Sequence, residues 1–327
     1  MLWVFRLVTI TSLVGLTLTL PSCATHALSP AAPLPSHVRG KQLHGKIVDM
    51  QTLRIIPFNT MVRALASARV IGIGEEHYHP DIQAFELQLL QALDQQSPES
   101  LALAMEFLER DAQQTVDDYT TSTIDLDTFH ERIAAGPSFQ RYYTPLVTYA
   151  RQKHMPTLAM NVPRRIARQV AKSGLQATLT DLDATDRTYV PPDLPDIPTR
   201  YQTYFLDAVT AHHPVEDQQA VTFTEASFIK DVTMAHVISR FLEQHPHAMV
   251  LAIAGRFHLD YGIAIPALIE QQRPHTPMRR ITTMAVGARS KIDLRHLKQE
   301  NIADYICFFP PAPATHARTR FPLLASP

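Results

Sequence analysis

Cysteine is almost missing from this chain: Cys23 and Cys307 are the two among 327 residues. No CxxC or CxxCH spacing exists, so a cysteine-built zinc knot and covalent attachment of a prosthetic group through paired cysteines are both excluded. Charge of one sign is missing too. Lys and Arg number 30 and Asp and Glu 31, a net charge of −1, which leaves no basic excess to hold nucleic acid and no acidic tail. Gly-x-Ser-x-Gly and phosphate-loop signatures are absent, and no internal repeat is present. What is there in quantity is apolar. Such side chains make up 45% of the chain against 19% charged, which excludes a disordered chain and suffices for a sizeable core. Histidine is abundant at 16. It is the commonest metal ligand and titrates near neutrality, so each clustered histidine needs a reason.

Residues 1–22 read as a signal peptide. Arg6 precedes an apolar run from Leu7 to Leu20, too short and too weakly flanked for a spanning helix. The run ends in Leu20-Pro21-Ser22-Cys23, which looks like a bacterial lipobox with an unusual proline at its second position. Processing there makes Cys23 the lipidated N-terminus. Cys307 is then left without a disulfide partner, as a buried small hydrophobe in an apolar strand. Ala24, rather than Asp, follows the cysteine, which favours the outer membrane of a cell envelope. Residues 23–43 read as a flexible tether, 44–309 as one domain and 310–327 as a C-terminal tail.

Within the domain, short apolar strands alternate with helices. Strands are expected at 69–73, 101–105, 157–160 and 248–254, with two more near 280–286 and 303–309. Pro80 opens a helix carrying Ile82, Phe85, Leu89 and Leu93 at helical spacing, and Pro163 opens another that Gly174 ends. A long helix is expected from about 221 to 244. Residues from about 187 to 220 are proline-rich and polar, with a short aromatic helix around Tyr201, and read as a lid or surface excursion. The pattern predicts an α/β fold with a mainly parallel central sheet flanked by helices.

The strand ends carry the chemistry. Glu75, Glu76 and His77 follow the first strand, Glu106 the second, and Asn161 with Pro163 and Arg164 the third. Arg256, Phe257 and His258 follow the fourth. Ligands of open α/β sheets bind outside the carboxyl ends of the strands, so these endings are expected to converge on one site. Two of them share the spacing Gly-x-x-His, Gly74 to His77 and Gly255 to His258, where glycine is expected to let the chain turn sharply. Gly72-Ile73-Gly74 begins like a dinucleotide fingerprint. However, His77 replaces the third glycine and two carboxylates stand where a pyrophosphate would sit, so that reading fails. His77-Tyr78-His79-Pro80-Asp81 has the HxH spacing of some metal hydrolases, but Pro80 and the helix start are expected to turn His79 away. His212 and His213 read as solvated loop residues. Glu225 lies on the apolar stripe of the long helix and is a candidate to enter the site; Asp231 lies beside that stripe.

Taken in order, GEEH, AMEF, AMNVPR, Glu225 with KDVTMA, and AGRFHLDYGIAIP resemble the ChaN-like haem-binding lipoproteins of the Tiki/erythromycin-esterase-like superfamily, over about Val70 to Pro266. The resemblance places the superfamily's paired Gly-x-x-His elements on His77 and His258 and its strand-end glutamate on Glu106. Tyr143-Thr144-Pro145-Leu146 and Asn161-Val162-Pro163-Arg164 resemble two further family stretches. Relatives carry small residues where this chain has Arg256 and Phe257.

The resemblance implies two functions. The first is haem binding in iron uptake, with iron on His258, Tyr261 or Tyr143 and propionates on Arg164, Arg165 or Arg256. The second is hydrolysis. There Glu75 or His77 activates water, or His77, Glu106 and His258 hold a divalent metal that does so. The expected partners are haem, a membrane through the N-terminal lipid, and a second copy of the chain, but not nucleic acid.

Overall fold

The computed structural model describes residues 32–97, 100–212 and 217–312, without the side chains of 208–212 and 217. The signal peptide, Cys23, His212 as a side chain, His213 and the tail beyond 312 lie outside the described residues. Ten strands are present among those described: β1 His37–Arg39, β2 Ile47–Asp49, β3 Arg54–Ile56, β4 Val70–Glu75, β5 Leu101–Glu109, β6 Thr157–Asn161, β7 Met249–Gly255, β8 Met278–Ala285, β9 Lys291–Asp293 and β10 Tyr305–Phe309. Eight form one sheet in the order β3-β2-β10-β8-β4-β7-β5-β6, and β1 pairs with β9 apart from it. From β10 to β6 every pairing is parallel, while β2 is antiparallel to β10 and to β3. The α/β expectation is met.

Every residue of β4 and of β7 is buried. Both faces of a parallel sheet are covered by helices, so its central strands need continuous apolar runs. Alternate residues serve opposite layers. Ile71, Ile73, Leu103, Met105, Leu251 and Ile253 pack with Phe85, Leu89 and Leu93 of the helix Pro80–Gln96. Ala102, Ala104, Val250, Ala252 and Ala254 face the other layer, where small side chains let the helix Asp217–Gln244 approach through Phe228, Val232 and Ala235.

Two expectations need correction. The tether does not extend to residue 43, because Leu34, Val38 and Leu43 are buried with Val48, Ile306 and Phe308 in a third apolar cluster. Single apolar residues between prolines and basic residues give no periodicity from which this can be read. Nor is the segment 187–220 a surface excursion. Val190, Tyr201, Phe205 and Ala220 are buried, and Tyr201 stacks on Phe205 at 4.5 Å with Phe228 5.3 Å away. Two aromatics four residues apart on the helix Thr199–His212 present one face, and that face is core.

Candidate functional site

The parallel order sets the site. β7 lies between β4 and β5, so the residues ending these three strands emerge side by side at the carboxyl edge. The register of β5 against β6 slips between Met105 and Glu109, which frees Glu106 from the regular ladder at that edge.

On the β4 side, the Nδ1 of His77 donates to Oε1 of Glu75 at 2.7 Å. The same oxygen accepts the Tyr143 hydroxyl at 2.5 Å, and Oε2 accepts the Gln83 amide at 2.8 Å. Burial pushes the Glu75 carboxyl up, but its bonds, the one from His77 foremost, outweigh burial and hold it below the usual carboxylate range. Burial also opposes charge on His77, yet the bond and the charge of Glu75 raise the imidazole above its ordinary value. Beneath them Glu86 is completely buried and held well above the carboxylate range, first by burial and then by the charge of Glu75.

On the β7 side, His258 is held between two carboxylates. Its Nδ1 donates to Oδ1 of Asp231 at 2.6 Å, and its Nε2 lies 3.2 Å from Oε1 of Glu106. Oδ2 of Asp231 accepts the Tyr201 hydroxyl at 2.5 Å. Oε2 of Glu106 accepts the Gly255 backbone N–H at 2.7 Å, and the Asn161 amide donates to the Glu106 backbone carbonyl at 3.1 Å. Burial works against charge on His258, but Asp231 and Glu106 overcome it and the imidazole is pushed up to about 10. Glu106 is held well below the carboxylate range because His258, and then His77, outweigh its burial.

The two Gly-x-x-His elements do converge, but their glycines do not act as expected. Neither Gly74 nor Gly255 has a positive φ. What they provide is room. A Cβ on Gly255 would stand 2.8 Å from Cε1 and 2.9 Å from Nε2 of His77, and one on Gly74 would meet the Asp260 carboxylate at 2.9 Å. Gly255→Ala is therefore expected to push the His77 ring off Glu75 and cost about 1–3 kcal/mol. Thermal unfolding together with the His77 imidazole resonances measures both effects.

Glu75, His77, Glu106, Asn161, His258 and Tyr143 thus form one connected cluster. Other candidates lie elsewhere or are already engaged. Glu225 does not join it, since its carboxylate accepts the Leu175 N–H at 2.8 Å and so caps the helix Leu175–Asp181. Nε2 of His79 is 2.8 Å from the Pro310 carbonyl. Arg165 pairs with Asp111 and Asp186, and Arg256 with Asp260 at 2.8 Å and Glu76 at 3.5 Å. Arg164 keeps 70% of its side chain exposed while pairing with Glu109 at 3.4 Å. Tyr261 is half-buried beside Tyr204, ring to ring 5.7 Å.

Two chemical expectations are corrected by this geometry. Glu75 cannot activate water directly, because it is buried and both of its oxygens accept hydrogen bonds. His77, Glu106 and His258 are not arranged as a metal centre here, for both nitrogens of His258 are directed at carboxylates. Among the described residues no group of three or more His, Cys, Asp or Glu side chains is arranged to hold a metal ion. Asp231 and Tyr201 are the members that sequence reasoning placed least well. Asp231 had a signal in its position beside the apolar stripe; Tyr201 had only its aromatic character.

A parallel sheet whose carboxyl edge carries two histidines, each fixed by a carboxylate on its own or a neighbouring element, defines an α/β protein with a strand-end site. The family model described as haem-binding uptake, Tiki superfamily, ChaN matches residues 61–269, more than half of the chain, and the chain belongs to this family. Among solved structures, one described as cofacial haem binding to ChaN of Campylobacter jejuni shares 19% identity, covers 80% of this chain and 95% of that one, and superposes with a TM-score of 0.62, which shows the fold. An open-conformation erythromycin esterase mutant, EreC, aligns at 15% identity over 75% of this chain and 77% of that one, with a TM-score of 0.45. Protein RETICULATA-RELATED 5, chloroplastic, of Arabidopsis thaliana is 24% identical over 228 residues, which are 64% of this chain and 30% of that protein. The chain thus spans under a third of the length of this curated relative.

Proposed function

We propose that this protein binds haem beside the segment that leaves β7 and serves haem or iron uptake from the cell envelope, anchored in the outer membrane by a lipid on Cys23. Family membership supports the ligand, and the state of the tyrosines supports the place. Ferric haem iron takes tyrosine or histidine, and the ligand must be accessible and uncommitted. His258 and Tyr143 are buried, and their polar atoms are spent on carboxylates. Tyr261 differs. Its ring is half-buried, and among the described residues its hydroxyl has no hydrogen-bond partner. Its backbone holds φ +61°, a conformation that a tyrosine keeps only where its surroundings enforce it, often at binding sites.

Tyr78 also has an open hydroxyl and a φ of +60°, but its ring is packed among His77, Tyr142 and Tyr143. Tyr261 is the ligand in this reading. Tyr204, 5.7 Å away, offers an aromatic wall for the porphyrin. A second copy of the chain would cover the haem face left open to water. Titration of the purified protein with haemin is expected to give a saturable, red-shifted Soret band, and Tyr261→Phe to weaken binding by about tenfold or more, a loss on the order of 1.4 kcal/mol. A wild-type protein without a saturable band overturns the reading. Stoichiometric manganese, cobalt or zinc in place of a haem response would turn it toward hydrolysis.

A further inference from the structure

A second concave site lies on the antiparallel side of the sheet and shares no side chain with the His77–His258 cluster. Its cavity, about 330 Å³, is lined by Phe58, Phe85, Phe309 and Ile47, with Lys46 and Asp81 beside them. The chain builds this site from four elements: the start of β2, the helices Phe58–Leu65 and Pro80–Gln96, and the end of β10. Phe85 stands edge-to-face with Phe58 at 6.1 Å and with Phe309 at 5.8 Å, so the three rings form an apolar wall with fixed geometry. His79 secures one side of it. Its ring lies 6.0 Å from Phe309, and its Nε2 is 2.8 Å from the carbonyl of Pro310. The volume is that of a small-molecule site.

The two charged residues determine what the cavity would take. Lys46 and Asp81 are both exposed. Neither forms an ion pair or a side-chain hydrogen bond among the described residues, although both line the same cavity. A cation and an anion lining the same cavity as an aromatic wall, unpaired with each other, match a ligand that brings one charge of each sign and one apolar group. A fatty acid would leave Asp81 unanswered, and an aromatic amine would leave Lys46 unanswered. We propose that this cavity binds a free hydrophobic amino acid, with its side chain among the three phenylalanines, its carboxylate on Lys46 and its ammonium on Asp81.

Calorimetric titration of the full-length protein with L-phenylalanine, phenethylamine and 3-phenylpropanoate tests this. Saturable binding of L-phenylalanine is expected, with each single-charge analogue weaker by about fivefold, the scale of one solvent-exposed ion contact. Lys46→Met is expected to weaken L-phenylalanine by a similar factor and leave phenethylamine unchanged, and Asp81→Asn to weaken L-phenylalanine and leave 3-phenylpropanoate unchanged. Both side chains are exposed, so neither change threatens folding, and haemin titration of the two variants should match the wild type. Absence of saturable L-phenylalanine binding, or analogues that bind as tightly as the amino acid, overturns the proposal.

Discussion

Asp231→Ala is expected to destabilise the protein by about 3–5 kcal/mol, because it removes one partner of a buried ion pair and leaves the other charged. Asp231 is completely buried and makes two short contacts, 2.6 Å to Nδ1 of His258 and 2.5 Å to the Tyr201 hydroxyl. Alanine leaves the Tyr201 hydroxyl without an acceptor inside an apolar cluster and takes away half of the negative charge that keeps His258 protonated. Tyr201→Phe provides the comparison. It removes one hydrogen bond to a charged group and leaves the ion pair, so it is expected to cost about 1.5–3 kcal/mol. Chemical denaturation, read as a lowered midpoint at unchanged slope, measures both. If Asp231→Ala costs no more than Tyr201→Phe, His258 is not held charged by that carboxylate.

Stability is expected to peak between pH 4.5 and 6.5 and to fall on both sides. The ordinary values of Glu106 and His258, 4.5 and 6.5, set this window. His258 is pushed up to about 10 in the folded protein. Its stabilisation is complete below pH 6.5 and is lost as the pH rises toward 10, because over that range the folded state keeps a proton that the unfolded chain has released. His77, also raised, adds to the same limb. Glu106 acts in the opposite direction. Its folded carboxyl is held well below 4.5, so its contribution is complete above that pH and is lost as the pH falls. His258→Gln is expected to reduce the alkaline limb, leaving the part that the raised carboxyls of Glu86 and Asp260 contribute, and to leave the acid limb to the other carboxylates. Melting temperature against pH for the two proteins checks this. A wild-type curve that is level from pH 6 to pH 9 would show that His258 is not charged in the fold.

The legibility of the site follows from its geometry. His77, Glu106, Asn161 and His258 could be found because each follows an apolar run, and parallel strands bring their endings to one edge whatever the length of the intervening chain. Asp231 and Glu225 lie on the same long helix, six residues apart. Which of them enters the site depends on the rotation of that helix against its neighbours, and sequence spacing does not carry that rotation. Packing turned Asp231 toward His258 and gave Glu225 to the helix at Leu175. β2 and β3 have three residues each, too few for a period of two to be recognised. The glycines illustrate a further difficulty. The Gly-x-x-His spacing was visible, but Gly255 is required by the approach of His77 from another strand, not by its own backbone angle.

By itself, the sequence determined the α/β class, the order of the parallel strands' elements, the strand-end residues that carry chemistry, and the family, because apolar periodicity and motif order are properties of the chain alone. Only the tertiary structure decided which charges meet. It placed His258 between Asp231 and Glu106, spent Glu75 and Tyr143 on each other, and left Tyr261 open. The reason is physical. A pKa, a buried hydrogen bond or a free ligand atom depends on distances of about 3 Å between residues far apart in the chain, and those distances exist only once the layers have packed.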